Sequence, residues 1–488
     1  MTRKRVFFKC RLWLLWLCAP YAHSQLVTGM NYMVELSATG GKGDYSPFWL
    51  TSNRYGLSSV RNGNGYVRGG IFRPQEGDRM FSYAFGLDWA VTRRFTSSFV
   101  IHQVYLDLKY GVLNLGIGSK ERDTELKNQY LSTGGMTFSR NARPIPQVRM
   151  EIPEYWVIPG SKEMLAARGH VAYGLFTDDK WQKHFTLQNR KYTEDVLFHS
   201  KSVFLRIGNE AKRPLVFEGG IEMASQFRGR VYNRYPEPLD MRSGWMDFVK
   251  VLIPSGSDPT DGENPNVYGN HVGNWNFSLS YTFPRWKVRT YYDHYFDDHS
   301  MLFFEYAWID ALAGLEITLP SNPAVASIVY EYVGTKDQAG PIYHDRTPGI
   351  PDQISARDNY YNHGLYASWQ HWGMGIGNPL LVSPIYNTDG AIVFHANRIK
   401  AHHLGVSGRP LPEVNYRVLL SHTRSWGTYD TPFVDIRRNT AVLLEAGFTP
   451  RALQGWEFTA SFAFDRGDLI GHNTGGMIRV RKSGLLTE

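Results

Sequence analysis

Hydrophobic and polar residues alternate with period two along much of this 488-residue chain. In Phe81-Ser-Tyr-Ala-Phe-Gly-Leu-Asp-Trp89 every odd position is apolar or aromatic and every even one is small or polar. Trp275 to Phe283, Glu457 to Phe464 and Gly314 to Leu319 repeat the pattern. Successive side chains of a strand point to opposite faces. These segments therefore predict strands with one apolar face and one face of Ser, Thr, Asn, Gly and Ala. A soluble sandwich usually turns more Lys and Glu outward. Here Trp89, Trp275, Tyr281 and Trp286 sit at strand ends, where an interfacial girdle would lie. Further strands are predicted over 99–110, 111–118, 202–208, 327–333, 364–372, 392–399, 416–424, 441–448 and 475–482.

Short turns link some of these strands, as at Lys109–Gly111 and Phe283–Trp286, while polar stretches at 121–135, 231–270, 335–362 and 425–438 separate others. Short turns on one rim and long loops on the other are the asymmetry of a transmembrane barrel. At about 20–28 residues per strand with its connection, the chain holds roughly 16–22 strands. No linker or short tandem repeat divides it. A sheet in lipid must also close to remove its edges, so one domain over 25–488 is the economical reading.

The first 24 residues read differently. Arg3, Lys4, Arg5, Lys9 and Arg11 precede the short apolar run 12–19, and Ala22-His-Ser24 fits a cleavage site. This predicts a secretory signal peptide, too short to span a bilayer. Cys10 and Cys18 would leave with it, and no disulfide framework would remain. The leader holds 5 of the 53 Lys and Arg and no acid, so the mature balance is 48 basic against 45 acidic residues. The high pI thus gives no argument for nucleic acid. Mean hydropathy is −0.36, yet 14% of the residues are aromatic. An exported, aromatic-rich chain without an 18-residue apolar run fits an all-β transmembrane antiparallel barrel in the outer membrane of a Gram-negative cell.

Four constellations offer chemistry. Asp293, His294, Asp297, Asp298 and His299 crowd one short stretch. In extended backbone Asp293, Asp297 and His299 fall on one face and His294 and Asp298 on the other, which splits a metal site. The stretch reads instead as a membrane-boundary loop or a glycan contact. The second is Asn359, Tyr360, Tyr361, Asn362 and His363, where amides and imidazole lie beside rings, as in sugar binding. In the third, Arg398, Lys400 and His402 share a face if extended, and would attract an acidic polysaccharide or the phosphate of lipopolysaccharide. The fourth, Ser139 to Gln147, carries Arg140, Asn141 and Arg143 with two prolines, so it belongs to the lumen or to a connection. There is no Gly-x-Ser-x-Gly elbow, P-loop or His-Glu-x-x-His, and no enzyme chemistry is needed to account for the chain.

Several motifs resemble the Wzi capsule assembly family, especially its Bacteroides-type members. They are Gly43 to Leu50 with Asn53 to Gly56, Ser139 to Gln147, Tyr292 to Ser300, Asp358 to Gly364 with Ile376 to Leu380, and Asn397 to Gly405. They run in order through nearly the whole mature chain. The resemblance implies an outer-membrane lectin, a barrel of about eighteen strands with a small helical element on the periplasmic side. The helical candidates are Ser161–Ala167 and Tyr45–Asn53. It also implies a protein that holds capsular polysaccharide at the cell surface with no cofactor and no covalent chemistry, its glycan contacts lying on the extracellular side; a monomer is expected. A diffusion channel is the alternative, because a barrel of this size can hold an aqueous lumen.

Overall fold

In the strand Asn31–Lys42 the exposure of alternate residues runs opposite to that of a soluble protein. Leu36 is 54% exposed and its neighbour Glu35 only 2%. The same inversion recurs along the chain: Leu87, Ile101, Leu205, Leu279 and Leu444 are exposed, while Asp88, His102, Ser200, Ser280 and Glu445 are buried. An apolar face turned outward and a polar face turned inward suit a sheet surrounded by lipid. The computed structural model describes residues 29–486 except 77–78, 188, 256–267, 298–308 and 339–357. The leader therefore lies outside the described residues, and among these no helix is long and apolar enough to cross a membrane.

Eighteen strands form one closed antiparallel sheet. In chain order they are β1 Asn31–Lys42, β2 Asn64–Arg73, β3 Phe81–Arg93, β4 Phe99–Tyr110, β5 Leu113–Ser119 and β6 Gln147–Val157. Then follow β7 Leu165–Leu175, β8 Leu197–Ile207, β9 Leu215–Phe227, β10 Asn270–Thr282, β11 Lys287–Phe296 and β12 Ala311–Thr318. The last six are β13 Ser327–Gly334, β14 Ile399–Leu411, β15 Val414–Gly427, β16 Pro432–Phe448, β17 Trp456–Gly467 and β18 Asn473–Leu485. Each pairs with its sequence neighbour, and β1 pairs with β18 from Asn31↔Leu485 to Lys42↔Thr474, which closes the ring. No edge is left to expose unpaired N–H and C=O groups to lipid.

The two rims differ as expected. Gly111 and Val112 alone join β4 to β5, and Pro412 and Glu413 alone join β14 to β15. Gly111 takes φ +58, the left-handed conformation that so tight a turn needs. On the opposite rim run the connections 43–63, 120–146, 176–196, 228–269 and 335–398. The short helices Phe48–Thr51, Asp179–Phe185 and Met246–Leu252 all lie in these long connections. Short turns mark the periplasmic rim of such barrels. The described helices are therefore on the other side from the one the resemblance implied. Of the two helical candidates, Tyr45–Asn53 contains one turn of helix, whereas Ser161–Ala167 is a turn that enters β7.

Two predicted strands are not strands. Residues 364–372 alternate well enough, but Leu365, Tyr366, Ala367 and Trp369 are all buried inside the barrel in a loop whose one regular piece is the two-residue pairing of Gln370–His371 with Met374–Gly375. Residues 392–399 are irregular until β14 begins at Ile399. Conversely β1, β2, β6, β7, β9, β11 and nearly all of β14 escaped the pattern. In β6 the inward residues are charged and Pro153 sits at a register shift between Ile152 and Trp156, which blurs the alternation.

If the outward face meets lipid, Leu36→Arg lowers folding stability by about 2–4 kcal/mol at mid-membrane depth. Denaturant titration of the protein refolded in lipid vesicles measures this. A loss below about 0.5 kcal/mol would contradict the lipid contact.

Candidate functional site

The long connections do not simply hang outside. Residues of 43–63, 120–146 and 358–398 fold into the lumen and pack into a core with inward wall residues. Phe48, Trp49, Leu131, Met136, Tyr361 and Trp369 belong to it. Each connection is also tied by hydrogen bonds to the wall. Glu331 on β13 accepts from the Thr133 amide at 2.7 Å, the Thr133 hydroxyl at 2.7 Å and the Tyr291 hydroxyl at 2.6 Å. His403 on β14 bridges the Leu131 carbonyl at 2.7 Å and the Ser421 hydroxyl at 2.7 Å, and its ring lies 5.3 Å from Trp49. The Phe48 amide donates to Asp465 on β17 at 3.0 Å.

The connections also hold one another. Asn53 donates to the Thr133 carbonyl at 2.9 Å, and Asn141 to the Gly375 carbonyl at 3.0 Å. Asn378 donates to the Gly134 carbonyl at 2.9 Å, and the Trp369 indole to the Thr137 carbonyl at 2.8 Å. The Tyr361 hydroxyl donates to the Met136 carbonyl. Gly377 passes so close to this pair that a Cβ there would lie 2.1 Å from the Tyr361 hydroxyl. Buried polar groups satisfied in this way make a rigid plug.

Most of the predicted site residues belong to this plug or its wall. Asp293 is buried and accepts from the Lys127 ammonium at 2.6 Å. Asp297 accepts from the Tyr361 amide at 2.9 Å, and His294 is buried on the opposite face of β11. Asp298 and His299 lie outside the described residues. Tyr360 and Tyr361 are fully buried against Tyr295, with ring centroids 4.8 and 5.4 Å away. Asn359 accepts from Asn397, and Asn362 bonds the Phe394 backbone through both its amide groups. His363 accepts two backbone N–H groups at Nδ1, from Leu365 at 3.1 Å and Tyr366 at 3.4 Å. The described residues of the first two constellations thus build structure instead of presenting a free sugar site. Tertiary packing put their polar groups to use, and that packing is invisible in local spacing. Arg398, Lys400 and His402 do share a face, but it is the outer one, away from the mouth.

Two kinds of open space remain among the described residues. Toward the short-turn rim a cavity of about 590 Å³ is lined by Arg122, Arg149, Arg168, Arg289, Glu151 and Glu218 among others. Beside it lies one of about 300 Å³ with Arg54, Arg68, Arg417, Arg479 and Glu445. Arg54 and Arg417 meet Glu445 at 2.9 and 2.7 Å. Asp88, His102 and Glu121 also converge nearby, with ligand atoms within 4.8 Å. The Arg68 guanidinium already donates to Asp88 at 2.9 Å and to Glu121 at 3.0 Å, so the cluster has its cation.

At the long-connection rim, a cleft of about 440 Å³ separates the 382–396 segment from the hairpin that β15 and β16 raise above the wall. Asn387, Thr388, Asp389, His395, Phe433 and Arg437 line it. The Arg437 guanidinium stands 4.2 Å from the Phe433 ring, and Asp389 pairs with His395 at 3.3 Å and Arg190 at 3.4 Å. Sequence reasoning marked 425–438 as a polar stretch and passed over these residues. The signal available in the sequence is an aromatic residue, Phe433, set among Asp430, Asp435 and Arg437.

Two outcomes test the plug. Lys127→Met leaves Asp293 buried and uncompensated, at a cost of about 3–5 kcal/mol. Hydrogen exchange of 120–146 should quicken while the strands stay protected, and pairing it with Asp293→Leu should restore protection. For His363, burial first and the Lys191 charge second push the imidazole down to about 3. The unfolded chain takes the proton below about 6.5. The stabilisation is therefore complete above that pH and is lost as pH falls toward 3. An NMR titration of His363 with a midpoint near 6.5 would show that Nδ1 is not committed to the turn.

No protein-family model matches the chain, and no curated protein sequence matches it. Solved structures do. Wzi of Escherichia coli, described as a carbohydrate-binding β-barrel of the outer membrane involved in group 1 capsule assembly, is similar with a TM-score of 0.55. The identity is 9%, and the match covers 96% of this chain and 87% of that one. OprD of Pseudomonas aeruginosa matches at 8% identity over 94% and 96% of the two chains, TM-score 0.46. OccAB2 of Acinetobacter baumannii matches at 6% identity over 94% and 98%, TM-score 0.46. The likeness to Wzi is one of fold: this chain is a closed 18-stranded antiparallel barrel of the outer-membrane type.

Proposed function

We propose that this protein is a non-enzymatic outer-membrane barrel that binds surface polysaccharide at its long-connection rim. The observation that carries this reading is the plug. Three connections fill the lumen with apolar contacts and satisfied polar groups, an arrangement that favours a fixed surface over a wide passage. The rim cleft supplies the chemistry. Phe433 offers a ring for the apolar face of a sugar, and Asn387, Thr388, Asp389 and His395 offer directional partners for hydroxyls. One such contact is weak, but repetition along a polymer that meets many copies of the protein supplies avidity. The E. coli Wzi barrel, with its carbohydrate-binding description, supports the same reading by analogy of fold.

The charged cavities toward the short-turn rim favour a second reading, a diffusion channel whose plug moves aside. Planar-bilayer recording separates the two: steady open-channel current belongs to the channel, a silent bilayer to the binding barrel. For the first reading, glycan-array binding by the purified protein should fall at least tenfold in Phe433→Ala. Deletion in an encapsulated host should release or disorder the capsule. A capsule that stays attached, with no glycan retained by the protein, would sink the proposal.

A further inference from the structure

The outer face of β13 to β17 changes character row by row. Ile328, Val406, Val418, Leu444 and Phe462 stand side by side in register. Two residues along each strand toward the long-connection rim come Tyr330, Leu404, Leu420, Val442 and Phe464. The next row is Tyr332, His402, His422, Thr440 and Arg466. The row beyond that is Lys400, Arg424 and Arg438, three cations directly opposed on three adjacent strands.

Like charges directly opposite one another destabilise a sheet. Among the described residues no carboxylate lies within 4.0 Å of these three side chains; Asp468 accepts from the Arg438 backbone amide instead. Aromatic rings hold the neighbouring cations. Arg398 lies 3.6 Å over Tyr429, and Lys336 and Arg424 each lie 5.3 Å from Trp426. Arg398 also donates its Nε–H to the Lys336 carbonyl at 3.0 Å, whereas the ring beside Arg424 positions that guanidinium without accepting its N–H groups.

The geometry points to a binding site for the phosphate groups of an anionic glycolipid in the outer leaflet, built from Lys400, Arg424 and Arg438. The row faces away from the barrel mouth and is continuous with the apolar band, which starts about two rows, or ~14 Å, below it. A lipid whose chains lie on Leu404 and Leu420 places its headgroup there. A polymer arriving from bulk solvent meets the rim and the inner face first. Each basic residue at a membrane surface contributes about fivefold to the binding of anionic lipid, so three contribute about 100-fold. The inference rests on the barrel lying in lipid and is independent of what the rim cleft binds.

The test uses the full-length protein in detergent, titrated with diphosphoryl lipid A and followed by native mass spectrometry. Wild type should bind it, and enzymatically dephosphorylated lipid A should bind about 100-fold more weakly. The triple variant Lys400→Gln, Arg424→Gln, Arg438→Gln should bind both forms at that weaker level. The wild-type comparison stands alone if the variant fails to fold. Equal binding of the two lipids by wild type overturns the proposal. So does full competition by millimolar inorganic phosphate, which would mark a free-anion site. A preference for polygalacturonate that the triple variant loses would assign the row to acidic glycan and overturn it as well.

Discussion

The structure depends on one constraint: inside a bilayer every backbone N–H and C=O must find its partner within the protein. Eighteen strands meet it only as a ring, and the pairing of Asn31–Lys42 with Asn473–Leu485 completes the ring. Closure inverts the usual hydrophobic order. Leucines and aromatics face out, and Glu35, Asp88, Glu331 and Glu445 face in. An inward polar face then needs partners to satisfy it. In this barrel ion pairs line charged cavities toward one rim, and a packed plug fills the other.

The plug brings together stretches that lie far apart in sequence. Asn53, Asn141, Tyr361 and Asn378 come from four of the stretches that resemble the Wzi family, and they meet around 133–136 and 375–377. Their chemistry is that of hydrogen-bonded structure in a packed interior. An unpaired amide or carbonyl there would cost about 1–3 kcal/mol, so each loop depends on the others. The surface left for a ligand is the one the plug and the β15–β16 hairpin form together.

Charge is divided among three places by its surroundings. Inside, arginines pair with wall carboxylates, as Arg417 on the adjacent strand and Arg54 of the plug do with Glu445. At the mouth, Asp389, His395 and Arg437 stand beside Phe433. On the outer face, Lys400, Arg424 and Arg438 have no acidic partner among the described residues and border the apolar band.

The alternation of Phe81 to Trp89 or Trp275 to Phe283 was legible in the sequence, because a strand with one face in lipid must repeat every two residues. Barrel class, an approximate strand count and the unequal rims followed from it. The face shared by Arg398, Lys400 and His402 followed too, but not its direction, since alternation sorts residues into two sets without saying which set is outside. Residues 364–372 show the other limit: a loop buried on all sides carries the same apolar signal as a strand. In local sequence Asp293 and Tyr361 read as ligand groups, but Lys127 and Met136, far away in the chain, occupy them. Local sequence determined how the backbone repeats; the closing of the ring and the inward fold of its long connections decided which polar groups were left for anything else, because those contacts join residues that no local pattern relates.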